Sequence, residues 1–145
     1  LNSPANEYVS SFIEDVDRSK VLNAENIMKK PDVVTSFKDG PLAAIRRMEE
    51  AGISSIFVLE RGRVLKGILT IDDALAAVKN KVWNEDVLNQ DFYTTSRDTP
   101  LRDLMPLAAE TRYPIAVVEG GKLVGIIVRV SIISGLYLKN EEEAI

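Results

Sequence analysis

The sequence predicts a mixed α/β (α+β) fold: two copies of one β-α-β-β-α unit, packed sheet against sheet about a pseudo-twofold axis. Two observations lead to this fold class. An internal repeat recurs at a spacing of about 59 residues, and each copy alternates β-rich runs with helical patterns. The composition is compatible with it, because 145 residues that are 46% hydrophobic and 28% charged can bury a sizeable core.

The repeat consists of matching residues in the same order. Asp32, Thr35, Asp39, Pro41 and Leu42 recur as Asp91, Thr94, Asp98, Pro100 and Leu101. Farther along, residues 56–60 correspond to 115–119, and residues 65–68 correspond to 123–126 after a one-residue deletion. Chance can supply any one of these pairs, but their common order and spacing indicate two copies of one unit.

Each element of the first unit has a local signal. A β-prone piece at residues 33–35 leads into Asp-x-Pro-Leu, where the Asp or the next residue can cap a helix and proline suits its first turn. Gly52 predicts the left-handed end of that helix. The helix is expected to bury an apolar stripe made of Leu42, Ile45, Met48 and Ala51. Two strands, 56–59 and 64–69, then form a hairpin, and a helix over 71–80 closes the unit.

The second unit repeats this order. It has a β-prone piece at 92–95, a helix from Leu101, strands at 113–118 and 123–128, and a last helix over about 130–138. Pro106 should kink or shorten its first helix, because proline removes an amide donor.

The chain therefore divides into five parts. They are a connector over 1–22, the first unit over 23–80, a linker over 81–90, the second unit over 91–138 and an acidic tail over 139–145. Residues 23–28 are predicted to form a short helix, and Trp83 is expected to pack at the junction of the units. The tail is expected to be frayed and solvated.

Composition excludes several classes of function. The chain has no cysteine and no histidine, so disulfides, thiolate nucleophiles, Ser–His machinery and imidazole metal ligands are excluded. A net charge of −4 without a basic stripe argues against nucleic-acid binding, and no apolar run approaches the ~18 residues of a membrane helix. Adjacent Asp72 and Asp73 point to different sides of a helix, so we expect no catalytic site, no metal site and no enzyme activity in this chain.

The junction of the third strand with the last helix of unit one is the candidate ligand site. There Gly67 allows close backbone approach, and Thr70 can cap the helix while offering a hydroxyl to a phosphate. Asp73 could accept hydrogen bonds from the two hydroxyls of a ribose. The alternative is that Thr70 is only an N-cap and Asp73 only a favourable first-turn acid.

These residues resemble a known family. The repeated unit resembles the CBS domain, and the pair resembles a tandem CBS (Bateman) module over roughly residues 23–138. Residues 67–73, Gly-Ile-Leu-Thr-Ile-Asp-Asp, match that family's adenosine-nucleotide signature, in which Thr meets phosphate and Asp meets ribose. The resemblance implies a nucleotide site made of Thr70, Asp73, Gly67, Ser55 and Ile56, and a homodimer formed through the CBS units.

Unit two departs from this signature. Val128 stands where the phosphate hydroxyl is expected, and Ser131 stands where the ribose acid is expected. The family's common proline in the second strand is Phe57 in one unit and Ala116 in the other. We therefore expect at most one nucleotide site.

A narrower resemblance concerns residues 6–22 and 100–118, which are similar to ATP-binding subunits of glycine betaine/L-proline (quaternary amine) ABC transporters. It implies an ATPase domain before Leu1, a membrane permease as partner, and a cytoplasmic location at the inner face of the membrane. No Gly-x-x-x-x-Gly-Lys-[Ser/Thr] loop is present in this chain. No cofactor is required, and ATP, ADP, AMP or cyclic di-AMP is the expected ligand.

Three interpretations of the function remain at this point. The module senses an adenine nucleotide or ionic strength, it only holds two subunits together, or it is the CBS pair of another protein such as an ion channel or a dehydrogenase. For ionic strength, cationic surface would come from Arg46, Arg47, Arg61, Arg63 and Lys66, although a plain solvated face explains each of them as well.

Overall fold

The fold was obtained as a computed structural model that describes residues 22–144, with side-chain surroundings up to residue 137. The strands are Val34–Ser36 (β1), Ser55–Glu60 (β2), Val64–Thr70 (β3), Thr94–Thr95 (β4), Ile115–Glu119 (β5) and Lys122–Ile127 (β6). The α-helices are Ala24–Ile27 (α1), Gly40–Ala51 (α2), Ile71–Asn80 (α3), Leu101–Glu110 (α4) and Arg129–Ala144 (α5). Short 3₁₀ turns cover Phe37–Asp39 and Glu85–Val87. The predicted connector lies outside the described residues except for Leu22.

Each unit contributes three strands with the same pairing. β1 runs parallel to β2, which is antiparallel to β3, and β4, β5 and β6 repeat this arrangement. The strand order is β1-β2-β3-β6-β5-β4, and the two halves meet where Val64 pairs with Lys122. There the Leu65 amide donates to the Gly121 carbonyl and the Leu123 amide to the Arg63 carbonyl, both at 3.0 Å. These reciprocal bonds mark the pseudo-twofold axis, so the predicted fold class is confirmed.

The three strands of each unit form one half of this sheet, and one face of each half packs against the other unit. A shared apolar core is made of Phe57, Leu59 and Ile68 from unit one and Ala116, Leu123 and Ile126 from unit two. Phe57 also meets Phe92 edge to face, with ring centroids 5.3 Å apart. The predicted sheet-to-sheet packing is thus present. Phe57 and Ala116, which stand where the resembling family commonly has proline, therefore both lie in the contact between the units.

The opposite face of each sheet is covered by that unit's own helices. In α2, Ala44, Ile45 and Met48 are buried, whereas Leu42 is 63% exposed and Ala51 is exposed as well. The predicted stripe is therefore wrong at both ends. Steps of three residues drift by about 60° each around a helix, so positions 42 and 51 lie on opposite faces. Gly52 ends the helix with φ 67°, as predicted.

The strands at the centre of the sheet diverge beyond their single pair. Two segments from outside the six strands pair with the free edges of β3 and β6. Lys29 exchanges two backbone hydrogen bonds with Ile126 of β6 (2.9 and 3.0 Å), and Asn89 exchanges two with Ile68 of β3 (2.9 and 2.8 Å). The leader, defined as residues 22–30, therefore packs on unit two, while the linker over 81–90 packs on unit one.

Trp83 lies in the linker and packs against unit one. Its ring stacks on Phe37 at a centroid distance of 4.9 Å, and its Nε1 donates to the Phe37 carbonyl at 2.7 Å. Both residues border the helix-side core of unit one. The predicted position between the units is wrong, because the linker lies along unit one and carries Trp83 to its outer side.

The helices of unit two follow the prediction at Pro106, where the first is shortened, and depart from it at the carboxyl end of the last. α4, which contains Pro106, has 10 residues against 12 in α2. α5 continues to Ala144, so residues 139–144 extend a helix and the prediction of a frayed tail is wrong for them. Within residues 22–144 no helix is long and apolar enough to cross a membrane.

Two glycines at repeated positions should be sensitive to any side chain. A Cβ on Gly67 would lie 3.0 Å from Leu88 Cβ and 3.2 Å from the Asn89 carbonyl oxygen, and one on Gly125 would lie 3.0 Å from Met28 Cβ. We expect Gly67→Ala and Gly125→Ala each to reduce the free energy of unfolding by about 1–3 kcal/mol, measured by urea denaturation. The control is Ser134→Ala at an exposed position. Stability unchanged in both glycine variants would contradict the close packing of the crossing segments.

Candidate functional site

The start of α3 forms the centre of the candidate site. Thr70 has an extended backbone (φ −86°, ψ 157°), and its Oγ1 accepts a hydrogen bond from the Asp73 amide at 3.1 Å. The Ile71 amide donates to the Ser54 carbonyl at 2.9 Å. Two of the first three helix amides are therefore occupied by the chain's own acceptors. The capping function of Thr70 is present, and its hydroxyl can still donate one hydrogen bond to a further acceptor.

Charge at this helix start is negative. The side chains of Asp72 and Asp73 are exposed in the first turn, where they compensate the positive end of the helix dipole. A phosphate at the same place would meet two carboxylates and few free amide donors. The junction therefore suits hydroxyl groups, which donate to carboxylates, better than it suits a phosphate.

A cavity of about 470 Å³ adjoins Asp73. One wall is the α3 face that carries Asp73, Ala77 and Asn80, and the other is the linker with Asp86–Gln90. Among the residues that the structure describes, its polar groups are carboxylates and side-chain amides, and none of the lining residues is a lysine or an arginine. Such a lining offers hydrogen bonds to sugar hydroxyls and to the edge of a base.

The other predicted site residues have different surroundings. Ser55 lies beside Thr70 in the β2–β3 register and is partly exposed, so the structure brings these two together. Ile56 is 2% exposed in the helix-side core of unit one, which leaves only its backbone for a ligand. The close approach at Gly67 is made by the linker, because a Cβ there would lie 2.6 Å from Gln90 Nε2. The close backbone approach predicted at Gly67 is thus present, and the segment that makes it is the linker.

Asn89 and Gln90 lie at the candidate site, although the sequence did not predict them there. Asn89 Nδ2 donates to the Tyr113 hydroxyl of unit two at 3.3 Å, and Gln90 Nε2 donates to the Lys66 carbonyl at 2.6 Å. Both line the cavity beside Asp73. Nothing in the local pattern marks them, since they reach the site only because the linker pairs with β3.

The equivalent junction of unit two is built differently. Val128 borders the inter-unit core, and its amide donates to Ser131 Oγ at 3.4 Å. Arg129 Nε and Nη2 donate to the carbonyls of Ala108 and Thr111, both at 2.8 Å. Arg129 thus caps the carboxyl end of α4, which has no glycine to do so.

A larger groove of about 1210 Å³ follows the outer edge of β1. Arg47, in its wall, donates from Nη1 to the buried Thr35 hydroxyl at 2.7 Å and contacts Asp39 Oδ2 at 3.1 Å. Arg61 and Arg63 also line this groove, and Arg63 Nη2 donates to the Pro31 carbonyl at 3.3 Å. Because acidic side chains such as Glu50 and Glu60 alternate with these cations, the groove has no single sign of charge.

The cations proposed as a salt-sensitive surface are mostly held by partners. Lys66 Nζ contacts Glu85 at 2.8 Å and Glu60 at 3.6 Å. The hydrogen bond to Glu85 raises the pKa of Lys66 above its usual value. Arg47 and Arg63 are also bonded. Within the part of the chain that the structure describes, a plain solvated face therefore fits Arg46 and Arg61, both of which are exposed.

Comparison with known proteins identifies relatives along nearly the whole chain. The CBS domain family matches residues 24–80 and 85–137. The glycine betaine/carnitine transport ATP-binding protein GbuA of Listeria monocytogenes is 50% identical over 94% of this chain and 34% of its own length. The glycine betaine transport ATP-binding protein OpuAA of Bacillus subtilis is 39% identical over 97% of this chain and 34% of its own length. The chain therefore spans about a third of the length of these relatives.

Solved structures share the fold. Staphylococcus aureus OpuCA superposes with a TM-score of 0.67 at 25% identity, covering 77% of this chain and 96% of that one. CbpB, solved with c-di-AMP, has a TM-score of 0.75 at 14% identity over 93% and 97% of the two chains. CBSX2, solved with AMP, has a TM-score of 0.68 at 21% identity over 81% and 98%.

The cap supplied by Arg129 can be tested directly. Arg129→Met removes two hydrogen bonds to carbonyls at the end of α4, so we expect a loss of about 1–3 kcal/mol in the free energy of unfolding. Urea denaturation followed by circular dichroism measures it. Arg102→Met, at an exposed position of the same helix, is the matched control and should change little. Equal stability of the two variants would contradict the capping function.

Proposed function

This chain belongs to the CBS domain family and carries two CBS domains in tandem. From that premise we propose that it is the regulatory module of an osmoprotectant (glycine betaine/proline) ABC transporter ATPase subunit. It senses an adenine nucleotide or ionic strength and modulates transport. The support is the set of relatives named as glycine betaine transport ATP-binding proteins, GbuA and OpuAA, which match along almost the whole chain.

The same relatives support the proposed partners. This chain accounts for about a third of their length. In this proposal, ATP hydrolysis belongs to an ATPase domain that precedes it in the full protein. The module itself binds the ligand and relays the signal to the ATPase domain. Its partners are that ATPase domain, a second copy of the module and the membrane permease, so its place is the cytoplasmic face of the membrane.

The observation that carries nucleotide sensing is the cavity between α3 and the linker, with Asp73 on its wall and Thr70 at the adjoining helix start. In this proposal Asp73 accepts hydrogen bonds from the ribose hydroxyls, and the Thr70 hydroxyl donates to the phosphate. Ser55 lies beside Thr70, and Ile56 follows it along β2 with its backbone available to the ligand. Gly67 contributes by admitting the linker. An adenine compound as the ligand class is supported by the CBS proteins solved with AMP and with c-di-AMP.

Ionic strength is the alternative signal. It is supported by ion pairs that join separate parts of the fold at partly exposed positions, such as Lys66 with Glu85 and Arg97 with Glu119. The Debye length falls from about 10 Å at 0.1 M to about 3 Å at 1 M salt, so the strength of such pairs changes over the range that osmotic stress covers.

The nucleotide proposal predicts that Asp73→Ala weakens binding of adenine nucleotides about 10- to 100-fold, because two charge-assisted hydrogen bonds are lost. Because two carboxylates stand at the helix start, affinity should also fall from AMP to ADP to ATP. Isothermal titration calorimetry of the chain with AMP, ADP, ATP and cyclic di-AMP, at low and high salt, measures both effects.

Asp72→Ala is the matched control, since Asp72 is in the same turn but does not line the cavity. It should not weaken the binding of AMP, because Asp72 makes no hydrogen bond to the ribose in this proposal and its removal only reduces the repulsion of the phosphate. No heat with any of the four nucleotides, or equal affinity of the Asp73 variant and the wild type, would contradict nucleotide sensing at this site.

A second candidate function is scaffolding, in which the module only holds two subunits together. Its support is exposed apolar surface at equivalent positions of the two closing helices. Leu75 on α3 is 51% exposed, and Ile133 on α5 is 65% exposed, with Val130 and Tyr137 on the same side of α5. Such side chains lose contact with water when two copies associate through these helices.

This surface predicts a dimer that Ile133→Asp converts to a monomer, because a carboxylate would then be buried in the contact. Sedimentation velocity of the chain at micromolar concentration measures it. Ser134→Asp, one residue further and also exposed, is the matched control and should remain dimeric. A wild-type monomer would contradict dimerisation through α5. A dimer that binds no nucleotide and does not respond to salt would favour scaffolding over sensing.

A further inference from the structure

The leader is attached to unit two by its backbone at both ends. At its start, the Leu101 amide donates to the Leu22 carbonyl at 2.7 Å, and the Ala24 and Glu25 amides donate to the carbonyls of Thr99 and Arg97, both at 2.9 Å. At its end are the two reciprocal bonds between Lys29 and Ile126. The chain therefore enters the described part of the fold at the amino end of α4, on the second unit in sequence.

Apolar contacts hold the same segment to unit two. Ala24 is fully buried in the helix-side core of that unit. Ile27 lies so close to α5 that a Cβ on Gly135 would be 2.9 Å from its Cγ2. Met28 covers Gly125 of β6. A movement of α5 or β6 is consequently transmitted to the leader by direct contact.

One cation fastens the leader to the sheet. Arg97 Nη1 contacts Glu25 Oε1 of α1 at 3.3 Å, and Arg97 Nε contacts Glu119 Oε2 at the end of β5 at 3.0 Å. The pKa of Arg97 is raised, chiefly by the hydrogen bond to Glu119. All three side chains are at least one-third exposed, so salt in solution screens them.

Unit one carries a matching arrangement on the linker. There Lys66 contacts Glu85 of the linker and Glu60, which is the repeat equivalent of Glu119. The two clusters of charged residues thus hold two different segments, the leader and the linker. Only the leader continues into the chain that precedes residue 22, because the linker begins and ends within the pair of units.

We propose that the leader is a salt-sensitive strap through which unit two, rather than unit one, communicates with the chain before residue 22. The Glu25–Arg97–Glu119 cluster is its clasp. The strap rests on the proposed function only for the identity of what precedes residue 22; its release from unit two is a property of this chain alone. High salt weakens the clasp, and the leader then opens separately from the rest of the fold.

Amide hydrogen exchange of the 145-residue chain, followed by NMR at constant pH, tests the strap without any ligand or transporter. In Arg97→Gln we expect the leader-bound amides of Ala24, Glu25 and Lys29 to exchange about two- to tenfold faster. The amides of Ile68 and Asn89, which join the linker to unit one, should be unchanged. Lys66→Gln is the matched control: the amides of Ile68 and Asn89 should exchange faster in it, and the leader amides should be unchanged. Raising NaCl from about 0.05 to about 0.5 M should accelerate the leader amides of the wild type and have little further effect in Arg97→Gln.

Glu25→Gln provides a second variant that leaves the Arg97–Glu119 contact intact, and it should give an intermediate acceleration. The strap is overturned if the leader amides respond equally to Arg97→Gln and Lys66→Gln, or if they exchange only together with the core strands. Leader exchange that is independent of salt also overturns it. Because calorimetry tests nucleotide binding separately, failure of the nucleotide proposal and failure of the strap give different results.

Discussion

The burial of one sheet face from each unit against the other is the contact on which this structure depends. A three-stranded sheet with helices on one side leaves its second face apolar, and two such faces exclude water only when they meet. Phe57 and Ile68 meet Ala116 and Ile126 across this contact, and the hairpins set its register where Val64 pairs with Lys122. The crossing segments and the cavity beside Asp73 are positioned by that register.

The divergence of β3 and β6 explains the crossing segments. Because the two strands pair at one position only, each would leave polar backbone groups at its free edge. The leader satisfies those of Ile126, and the linker satisfies those of Ile68. Glycines at repeated positions, Gly67 and Gly125, leave room for this approach. The same geometry that completes the sheet also forms one wall of the candidate site and attaches the leader to unit two.

The two units have kept one fold while their strand-to-helix junctions have diverged. In unit one Thr70 caps α3 beside Asp73. In unit two Val128 turns toward the inter-unit core, and Arg129 is committed to the end of α4, where Pro106 sits within the shorter helix. In our proposal, a pair that duplicates its packing but not its polar junction keeps one ligand site, in unit one, and leaves the other unit free for another role. The contacts of the leader assign that role to unit two.

Local signals in the sequence determined the repeat, the β-α-β-β-α order and the cap at Thr70, because helix starts, glycine ends and hairpin turns depend on neighbouring residues. They also placed Asp73 in the first turn of α3, since its position is defined relative to the cap at Thr70. Contacts between distant residues had to be decided by the tertiary structure. Leu42 is exposed although it fits a spacing of three, Trp83 turns to the outer side of unit one, and Asn89 and Gln90 reach the cavity only through the linker. These outcomes depend on which edges and faces remain free once the two sheets have packed, and no local pattern records that.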